Sequence, residues 1–355
     1  MRGSRRLTVV RPYLPLVALA LVVAGCGGNA GDDAARPTDA GDERSAALAR
    51  EFADEGWATD FAKRKVSLTE FQSGGPPRDG IPPVDDPKFV AVADADEWLD
   101  EEEPVILVEH RERPRAYPIQ ILMWHEIVND EIAGTPIAVT FCPLCSTAIV
   151  FDRRVGGETL DFGTSGKLRN SDLVMYDRQT ESWWQQFGGE ALVGRYLGER
   201  LERLPARIVS WGEVMRHFSS ARVLSRDTGH ARDYGNNPYS GYDDVDSPPF
   251  FPAANRDDGR LPPKERVVYV ERGDDAVAVP FSVLERKREL EIEVGGERLL
   301  VRWRKGVASA LDAGVIEEGR DVGAAEVLAG GRLVPFEEPF WFAVAAFRPD
   351  VRIVR

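Results

Sequence analysis

The chain has 355 residues, and 43% of them are hydrophobic, which is enough apolar material for one large domain or two small ones. The formal net charge at pH 7 is -14. This acidity argues against nucleic acid and against an anionic lipid surface as partners, because like charges repel, and it fits a solvated exported domain.

The N-terminal residues predict an export signal. Four arginines precede an apolar run from Leu14 to Val23, which is too short to span a membrane comfortably. The run ends in Val23-Ala24-Gly25-Cys26, and two small residues directly before a cysteine are typical of a lipoprotein signal. We predict a signal peptide over residues 1–25 and an extracytoplasmic lipoprotein that is anchored in the membrane through a lipid on Cys26. The alternative is an ordinary signal peptide with an incidental cysteine.

A polar stretch follows the predicted lipidation site. It begins Gly27-Gly28-Asn29 and continues, rich in Ala and Asp, to about residue 50. Because such a composition buries little apolar surface, the sequence predicts a flexible tether over residues 26–56. We expect this tether to hold the folded part of the chain away from the membrane.

Two later segments share one pattern at a constant offset of 162 positions. Residues 105–122 read VILVEHRERPRAYPIQIL, and residues 267–284 read VVYVERGDDAVAVPFSVL. Each predicts a strand, a polar turn and a second strand, and then a proline (Pro118 or Pro280) in the first turn of a helix. Hairpins with glycine turns follow in both. We interpret the pair as an internal duplication rather than as chance similarity between strand-rich segments, because strands, turns and proline keep one register.

The predicted fold is therefore of the β-rich α+β class, with two pseudo-repeats of strand, turn, strand, helix start and hairpins. The first repeat also contains a polar Gly/Ser loop over residues 163–171, followed by a strand over 173–176, and a short helix that Ser210 and Glu213 cap. A stretch rich in Gly, Asn, Pro, Tyr and Asp separates the repeats and is typical of a linker or a site cover. The predicted boundaries are 57–226 for the first repeat, 227–266 for the connection and 267–355 for the second, shorter repeat.

The run Cys142-Pro143-Leu144-Cys145 holds the only two cysteines expected inside the folded domain. Apolar runs precede and follow it, so we predict a turn between two strands. A thioredoxin-type pair instead starts a helix, whose N-terminus lowers the pKa of the thiol. A Cys-Pro-x-Cys turn within a hairpin resembles a zinc or rubredoxin knuckle, in which both sulfurs bind one ion.

Further ligands for such an ion must come from histidine or carboxylate, because the sequence has no second pair of cysteines. His125, one hairpin strand before the turn, is the leading candidate. The second copy lacks all three soft ligands, since its matched positions are Arg304, Val307 and Lys287. A site of two cysteines and one histidine with an open position suits catalytic zinc or a copper ion.

Five other residues are candidates for contact with a ligand. Two of them lie in and just after the polar loop, and two belong to a stretch with adjacent tryptophans, a residue type that often forms binding platforms. The alternative is that one tryptophan belongs to the core and the other to its rim. The five candidates are Trp124, Arg169, Asp172, Asp177 and Trp184.

Three functions are compatible with these residues. The first is a membrane-anchored lipoprotein that binds zinc or copper through Cys142, Cys145 and His125. The second is an extracytoplasmic thiol-disulfide oxidoreductase that cycles the two cysteines. The third is a ligand-binding or scaffold lipoprotein in which they form a static disulfide. The sequence leaves open whether the chain is an enzyme.

Four runs of the chain resemble the bacterial and archaeal family called domain of unknown function 3179. They read YPIQILMWHEIVND, PIAVTFCPLCSTAIVFDR, FGTSGKLRNSDLVMYDRQTESWWQQ and VLSRDTGHARDYGNNPYSGYD. The resemblance extends from about Pro104 to the C-terminus. The family usually has glycine after the second cysteine, where this chain has Ser146, and glycine eases a turn with positive φ. The resemblance implies the extent of the domain and its motif residues, and it implies no activity.

Overall fold

Short apolar runs bounded by Gly, Pro and Asp turns fold as strands in the computed structural model, which describes residues 39–355. The predicted signal peptide, Cys26 and the tether up to residue 38 lie outside the described residues. Six helices are present in the described part: α1 Asp39–Asp54, α2 Val92–Ala95, α3 Ile119–His125, α4 Trp211–His217, α5 Phe281–Lys287 and α6 Trp341–Phe347. None of these helices has the length and apolar character needed to cross a bilayer.

Twenty-three strands account for most of the regular structure between residues 39 and 355. The first thirteen are β1 Gln72–Ser73, β2 Phe89–Ala91, β3 Pro104–His110, β4 Arg113–Pro118, β5 Ile127–Ile132, β6 Thr135–Cys142, β7 Thr147–Asp152, β8 Arg154–Val155, β9 Glu158–Thr159, β10 Phe162–Arg169, β11 Asp172–Asp177, β12 Trp183–Gln185 and β13 Ala191–Val193. The others are β14 Arg203–Leu204, β15 Arg207–Ser210, β16 Arg222–Leu224, β17 Val267–Arg272, β18 Asp275–Pro280, β19 Glu289–Val294, β20 Glu297–Arg304, β21 Ala324–Ala329, β22 Arg332–Leu333 and β23 Arg352–Ile353.

Five sheets of three to five strands form a propeller-like architecture with five blades. Their strand orders are β1-β10-β11-β12-β13, β14-β7-β6-β5, β15-β3-β4-β16-β2, β17-β18-β23 and β19-β20-β21-β22. A two-stranded ribbon, β8-β9, completes the described sheets. The predicted β-rich α+β class is confirmed, whereas the division into blades was not predicted.

The two similar sequence segments have the same elements at the same offset. Strands β4, β5 and β6 and helix α3 have the lengths of β18, β19 and β20 and helix α5. Pro118 and Pro280 are the N-cap residues of the two helices, with φ of -58° and -62°. Glu126 and Arg288 end those helices with φ of 58° and 64°, in the left-handed region that L-residues rarely adopt. The backbone path is thus closely alike in both segments.

The predicted tether is wrong from residue 39 onward, because α1 begins there. Leu48 and Ala49 lie four and three positions before Phe52, so the three form an apolar stripe on one face of this helix. Phe52 is buried, and its ring lies 5.1 Å from that of Trp183 in β12. The aromatic rings of Trp57 and Phe61 pack on the same tryptophan. Packing against this aromatic cluster outweighs the polar composition of the segment.

The predicted loop over residues 163–171 is also wrong, because most of it belongs to strand β10. Two of its hydroxyl groups are paired within the fold: Thr164 donates to the carbonyl of Ile81 over 2.8 Å, and Ser165 donates to the carbonyl of Val174. A bulge between Thr164 and Lys167 contains Gly166, whose φ is 72°. Backbone carbonyls therefore satisfy these two hydroxyl groups inside the fold, where solvent does not reach them.

The connection over residues 227–266 contains turns and isolated bridges but no helix or regular strand. It supplies aromatic side chains to the core of the first segment, among them Tyr239 and Tyr242. The Tyr242 hydroxyl donates to the carbonyl of Leu144 over 2.8 Å. This segment therefore covers the turn that holds the two cysteines.

Truncation of Phe52 tests whether α1 belongs to the folded domain. We expect Phe52→Ala to lower the free energy of unfolding by about 3–5 kcal/mol, because it leaves a cavity beside Trp183. The exposed neighbour Glu51 provides the control, and Glu51→Ala should change stability by less than about 0.5 kcal/mol. Urea unfolding followed by tryptophan fluorescence measures both. Equal stability of the two variants would show that α1 belongs to the predicted tether and not to the folded domain.

Candidate metal centre

The two cysteines lie at the end of one hairpin. Strands β6 and β7 pair antiparallel with Cys142 opposite Thr147, so the residues between them form a four-residue turn that contains Cys145. Ser146, the last residue of the turn, has a φ of 58°. Glycine would adopt this conformation at lower cost, but serine adopts it here. The prediction of a turn between two strands is confirmed.

Three donor groups meet at this turn. The sulfurs of Cys142 and Cys145 and a carboxylate oxygen of Asp172 all lie within 4.8 Å of one another. Each residue is at most 1% exposed. Ligands around one zinc ion stand about 3.3–3.8 Å apart when the bonds are about 2.0–2.3 Å long. A small movement of the side chains would therefore bring all three donors onto one ion.

Asp172 comes from a different sheet, and hydrogen bonds to its second carboxylate oxygen hold it in place. Its Oδ2 accepts a hydrogen bond from the backbone N–H of Phe187 over 2.9 Å and another from the amide of Gln185. Its Oδ1 accepts from the thiol of Cys145 over 2.8 Å. One oxygen of the carboxylate is thus anchored by the protein, and the other faces the sulfurs.

A second layer of polar groups orients the turn. The Thr147 hydroxyl lies 2.9 Å from the Cys145 sulfur and donates to Oε1 of Gln186 over 2.7 Å. The amide nitrogen of Gln186 donates in turn to the hydroxyl of Thr140 over 3.0 Å. The sequence analysis missed Gln185 and Gln186, although they directly follow the two tryptophans that it singled out. Such outer groups commonly fix the direction of metal ligands.

The interior around the cysteines is acidic. Burial is the largest cause of a raised pKa for both thiols, and it raises the pKa of Asp172 to about 6 and that of Glu126 to about 8. The negative charge of Asp172 adds to the shifts of Glu126 and of both cysteines. The thiols and Glu126 therefore stay protonated near neutrality, whereas Asp172 is largely ionised, and a bound cation would favour the charged forms of all four groups.

The structure does not place His125 in this group, and Asp172 takes the position predicted for it. The Nδ1 of His125 lies 2.6 Å from the carbonyl of Pro82, and its Nε2 lies 2.6 Å from the hydroxyl of Tyr234. Both ring nitrogens are thus engaged, the first as a donor and the second as an acceptor. Burial lowers the pKa of His125 to about 4, so the ring is neutral. The prediction of His125 as the third ligand is therefore wrong.

The remaining predicted contact residues lie in other settings. Asp177 accepts a hydrogen bond from the indole of Trp184 over 2.9 Å, and both side chains are fully buried. Arg169 forms an ion pair with Glu70 at the sheet surface. Trp124 packs against the core, half-buried. Of the five predicted residues, only Asp172 is grouped with the cysteines.

The matched positions of the second segment carry no such group of donors. Arg304 is exposed and pairs with carboxylates of Glu213 and Glu326. Lys287 reaches the backbone carbonyl of Arg355. Within residues 39–355 the group of Cys142, Cys145 and Asp172 is the one cluster of three or more histidine, cysteine or acidic residues with metal-ligand spacing.

The buried imidazole of His125 makes folding sensitive to acid. Its pKa is about 4 in the folded protein against 6.5 in the unfolded chain, through burial first and then the charges of His230 and Arg232. The unfolded chain therefore binds a proton that the folded chain does not, and stability is lost as the pH falls from about 6.5 to about 4.

We expect the chelator-treated wild type to lose about 2–3 kcal/mol more free energy of unfolding between pH 7 and pH 4.5 than His125→Gln does. Glutamine keeps a donor and an acceptor but does not titrate in this range. Urea unfolding at several pH values measures the difference. Parallel pH profiles for the two proteins would contradict a neutral buried imidazole.

Comparison with known proteins agrees with the resemblance found in the sequence. A search of curated proteins and a search of solved structures returned no match. The model of one family, described as "Protein of unknown function (DUF3179)", matches residues 78–351 and so covers the cysteine turn, Asp172 and both similar segments. Because this match includes most of the chain, the protein belongs to that family.

Proposed function

We propose that this protein binds one transition-metal ion through Cys142, Cys145 and Asp172 at the turn of the β6–β7 hairpin. The observation that carries the proposal is the convergence of two thiols and a carboxylate in a buried site. The carboxylate is already oriented through its second oxygen by Phe187 and Gln185. An ion would compensate the mutual repulsion of their charged forms and would favour loss of the two thiol protons.

The chemistry of the donors favours zinc. Zinc accepts thiolate and carboxylate ligands together, whereas Cu(I) prefers a set of soft sulfur ligands. Two thiolates and one carboxylate carry three negative charges, which a divalent ion largely neutralises. Three protein ligands leave a fourth position for water or another molecule, as in catalytic rather than structural zinc sites.

Thiol-disulfide exchange is the second candidate, because both cysteines are free and their sulfurs lie within 4.8 Å of each other. Against it stands their burial, since a reactive cysteine is a partly exposed thiolate with a lowered pKa. Burial raises the pKa of both thiols here. Metal binding accounts for the arrangement better, because it also gives Asp172 a role.

We also propose that the two similar segments arose by duplication and that the first one acquired the site. Elements from β4 to β6 match those from β18 to β20 in length and offset, which supports this origin. The predicted localisation extends the proposal: a lipid on Cys26 would anchor the protein to the membrane, outside the cytoplasm. Residues 27–38 would then separate the anchor from α1.

Metal analysis tests the proposed site. We expect the full chain, loaded with zinc and freed of excess, to hold one zinc ion. Cys142→Ser, Cys145→Ser and Asp172→Asn should each weaken zinc affinity by at least about tenfold, because each removes a ligand. His125→Gln should keep the zinc of the wild type. Elemental analysis and competition with a chromogenic chelator give the content and the affinity.

Two controls accompany these variants. Lys287→Ala changes the position matched to His125 in the second segment and should leave zinc binding unchanged. Thiol counting shows whether the cysteines are reduced. A wild type without zinc whose two cysteines cycle between thiol and disulfide would refute the metal site in favour of the redox function, and a permanent disulfide would favour the static one.

Replacement of Cys26 tests the predicted lipid anchor and the localisation. We expect the wild type to partition into detergent and Cys26→Ser to appear unlipidated in the soluble exported fraction, because the lipid can be attached only to that sulfur. Phase separation followed by mass spectrometry of the N-terminal peptide measures both. Identical partitioning of the two proteins would refute the lipoprotein assignment.

A further inference from the structure

A cavity of about 260 Å³ lies beside the cysteine turn. Leu144, which stands between the two cysteines, lines it, and so does Leu173, which follows Asp172. Tyr239 and Phe251 of the covering segment supply aromatic walls. The cavity and the proposed metal site therefore share the same turn and the same strand.

One carboxyl group in this cavity has no partner. Glu126 is 8% exposed and lines the cavity, and no hydrogen bond joins its carboxyl group to another described residue. A buried carboxyl group without a partner costs free energy, so its retention needs a reason outside the fold. The reason that fits an accessible cavity is a ligand.

The backbone does not require a carboxylate at this position. The N–H of Glu126 donates to the carbonyl of Leu122 over 2.7 Å, and its carbonyl accepts from Phe141 over 2.8 Å. The matched residue Arg288 forms the equivalent backbone hydrogen bonds, yet its side chain is exposed and lies 4.4 Å from the ring centre of Trp303. The left-handed turn is thus common to both segments, and the inward carboxylate is particular to the first.

The charge of the cavity favours a cation. Its two charged residues are Glu126 and Lys167, and the ammonium of Lys167 is already 2.8 Å from the carboxylate of Glu55. The carboxyl group of Glu126 therefore has no cationic partner in the cavity, and a bound ammonium group would favour its ionised form. The rest of the wall is mainly aliphatic and aromatic, and Phe250 stands exposed among the lining residues. An apolar body with one positive group complements such a lining.

We propose that this cavity binds a small aromatic primary amine, with its ammonium group at Glu126 and its ring among Leu144, Leu173, Tyr239 and Phe251. A dry cavity of about 150 Å³ is enough for a benzene ring, so the present one admits a ring with a short aminoalkyl chain. The inference rests on the proposed metal site in one respect: Leu144 lies between two metal ligands, so a bound ion would fix that wall of the cavity.

Calorimetric titration with 2-phenylethylamine tests this binding. The probe is added to the full zinc-loaded chain at pH 7, and 3-phenylpropionate, which has a ring and a chain of similar length but carries the opposite charge, serves as the comparison. We expect one amine per chain, bound at least about tenfold more tightly than the acid. Equal affinities, or no binding of the amine, would overturn the proposal. This comparison needs no variant and so does not depend on the folding of one.

Two matched variants locate the binding group. Glu126→Gln should lower the affinity for the amine by at least about tenfold and keep the zinc content. Glu131→Gln removes an equal charge from an exposed position in β5 and should change neither. Thermal unfolding verifies that both are folded. Unchanged amine affinity in a folded Glu126→Gln protein would overturn the assignment of the carboxyl.

The same titration separates this inference from the proposed function. If the wild type binds zinc but no amine, the cavity proposal fails and the metal site stands. If the wild type holds no zinc but binds the amine in a manner that depends on Glu126, the metal site fails and the cavity proposal stands.

Discussion

The contact between the Cys145 thiol and the Asp172 carboxylate joins two sheets at the turn of the β6–β7 hairpin. Cys145 belongs to the sheet of β6 and β7, and Asp172 begins β11 in the neighbouring sheet. The same turn accepts the Tyr242 hydroxyl at Leu144 and the backbone N–H of Phe340 at Cys145, over 2.8 and 2.9 Å. Two sheets of the first segment, the covering connection and the start of α6 thus meet at the turn of residues 143–146. A substitution in this turn would therefore disturb the packing of all four parts.

The side chains at this junction are acids, whereas a contact that serves only the stability of the fold is usually apolar. Apolar side chains of similar volume would join the sheets without the cost of burying thiols and carboxyl groups. The second segment does not repeat this turn, since residues 305–323 join its strands β20 and β21, and Arg304, at the position matched to Cys142, is exposed and ion-paired. The acids of the first segment are therefore better explained by what they bind than by the stability they add.

The sequence predicts those features that depend on neighbouring residues. The hairpin around the cysteines follows from the apolar runs on either side, and the helix α4 follows from Ser210, whose hydroxyl accepts from the N–H of Glu213. The third ligand could not be predicted in this way. Asp172 is brought to the turn by the packing of one sheet on another, which no local pattern encodes. Similarly, α1 owes its position to Phe52 and Trp183, whose contact is remote in sequence.

The hydrogen bond from Phe340 to Cys145 has a consequence for how the protein matures. The turn is enclosed only after the chain as far as α6 has been made and has folded back onto it, across almost two hundred residues. Contacts so remote form late, because a long loop must close first. During that interval both thiols are open to oxidants and to metal ions alike. In an oxidising compartment, the relative rates of metal binding and of disulfide formation would then decide whether the buried turn holds a metal ion or a disulfide.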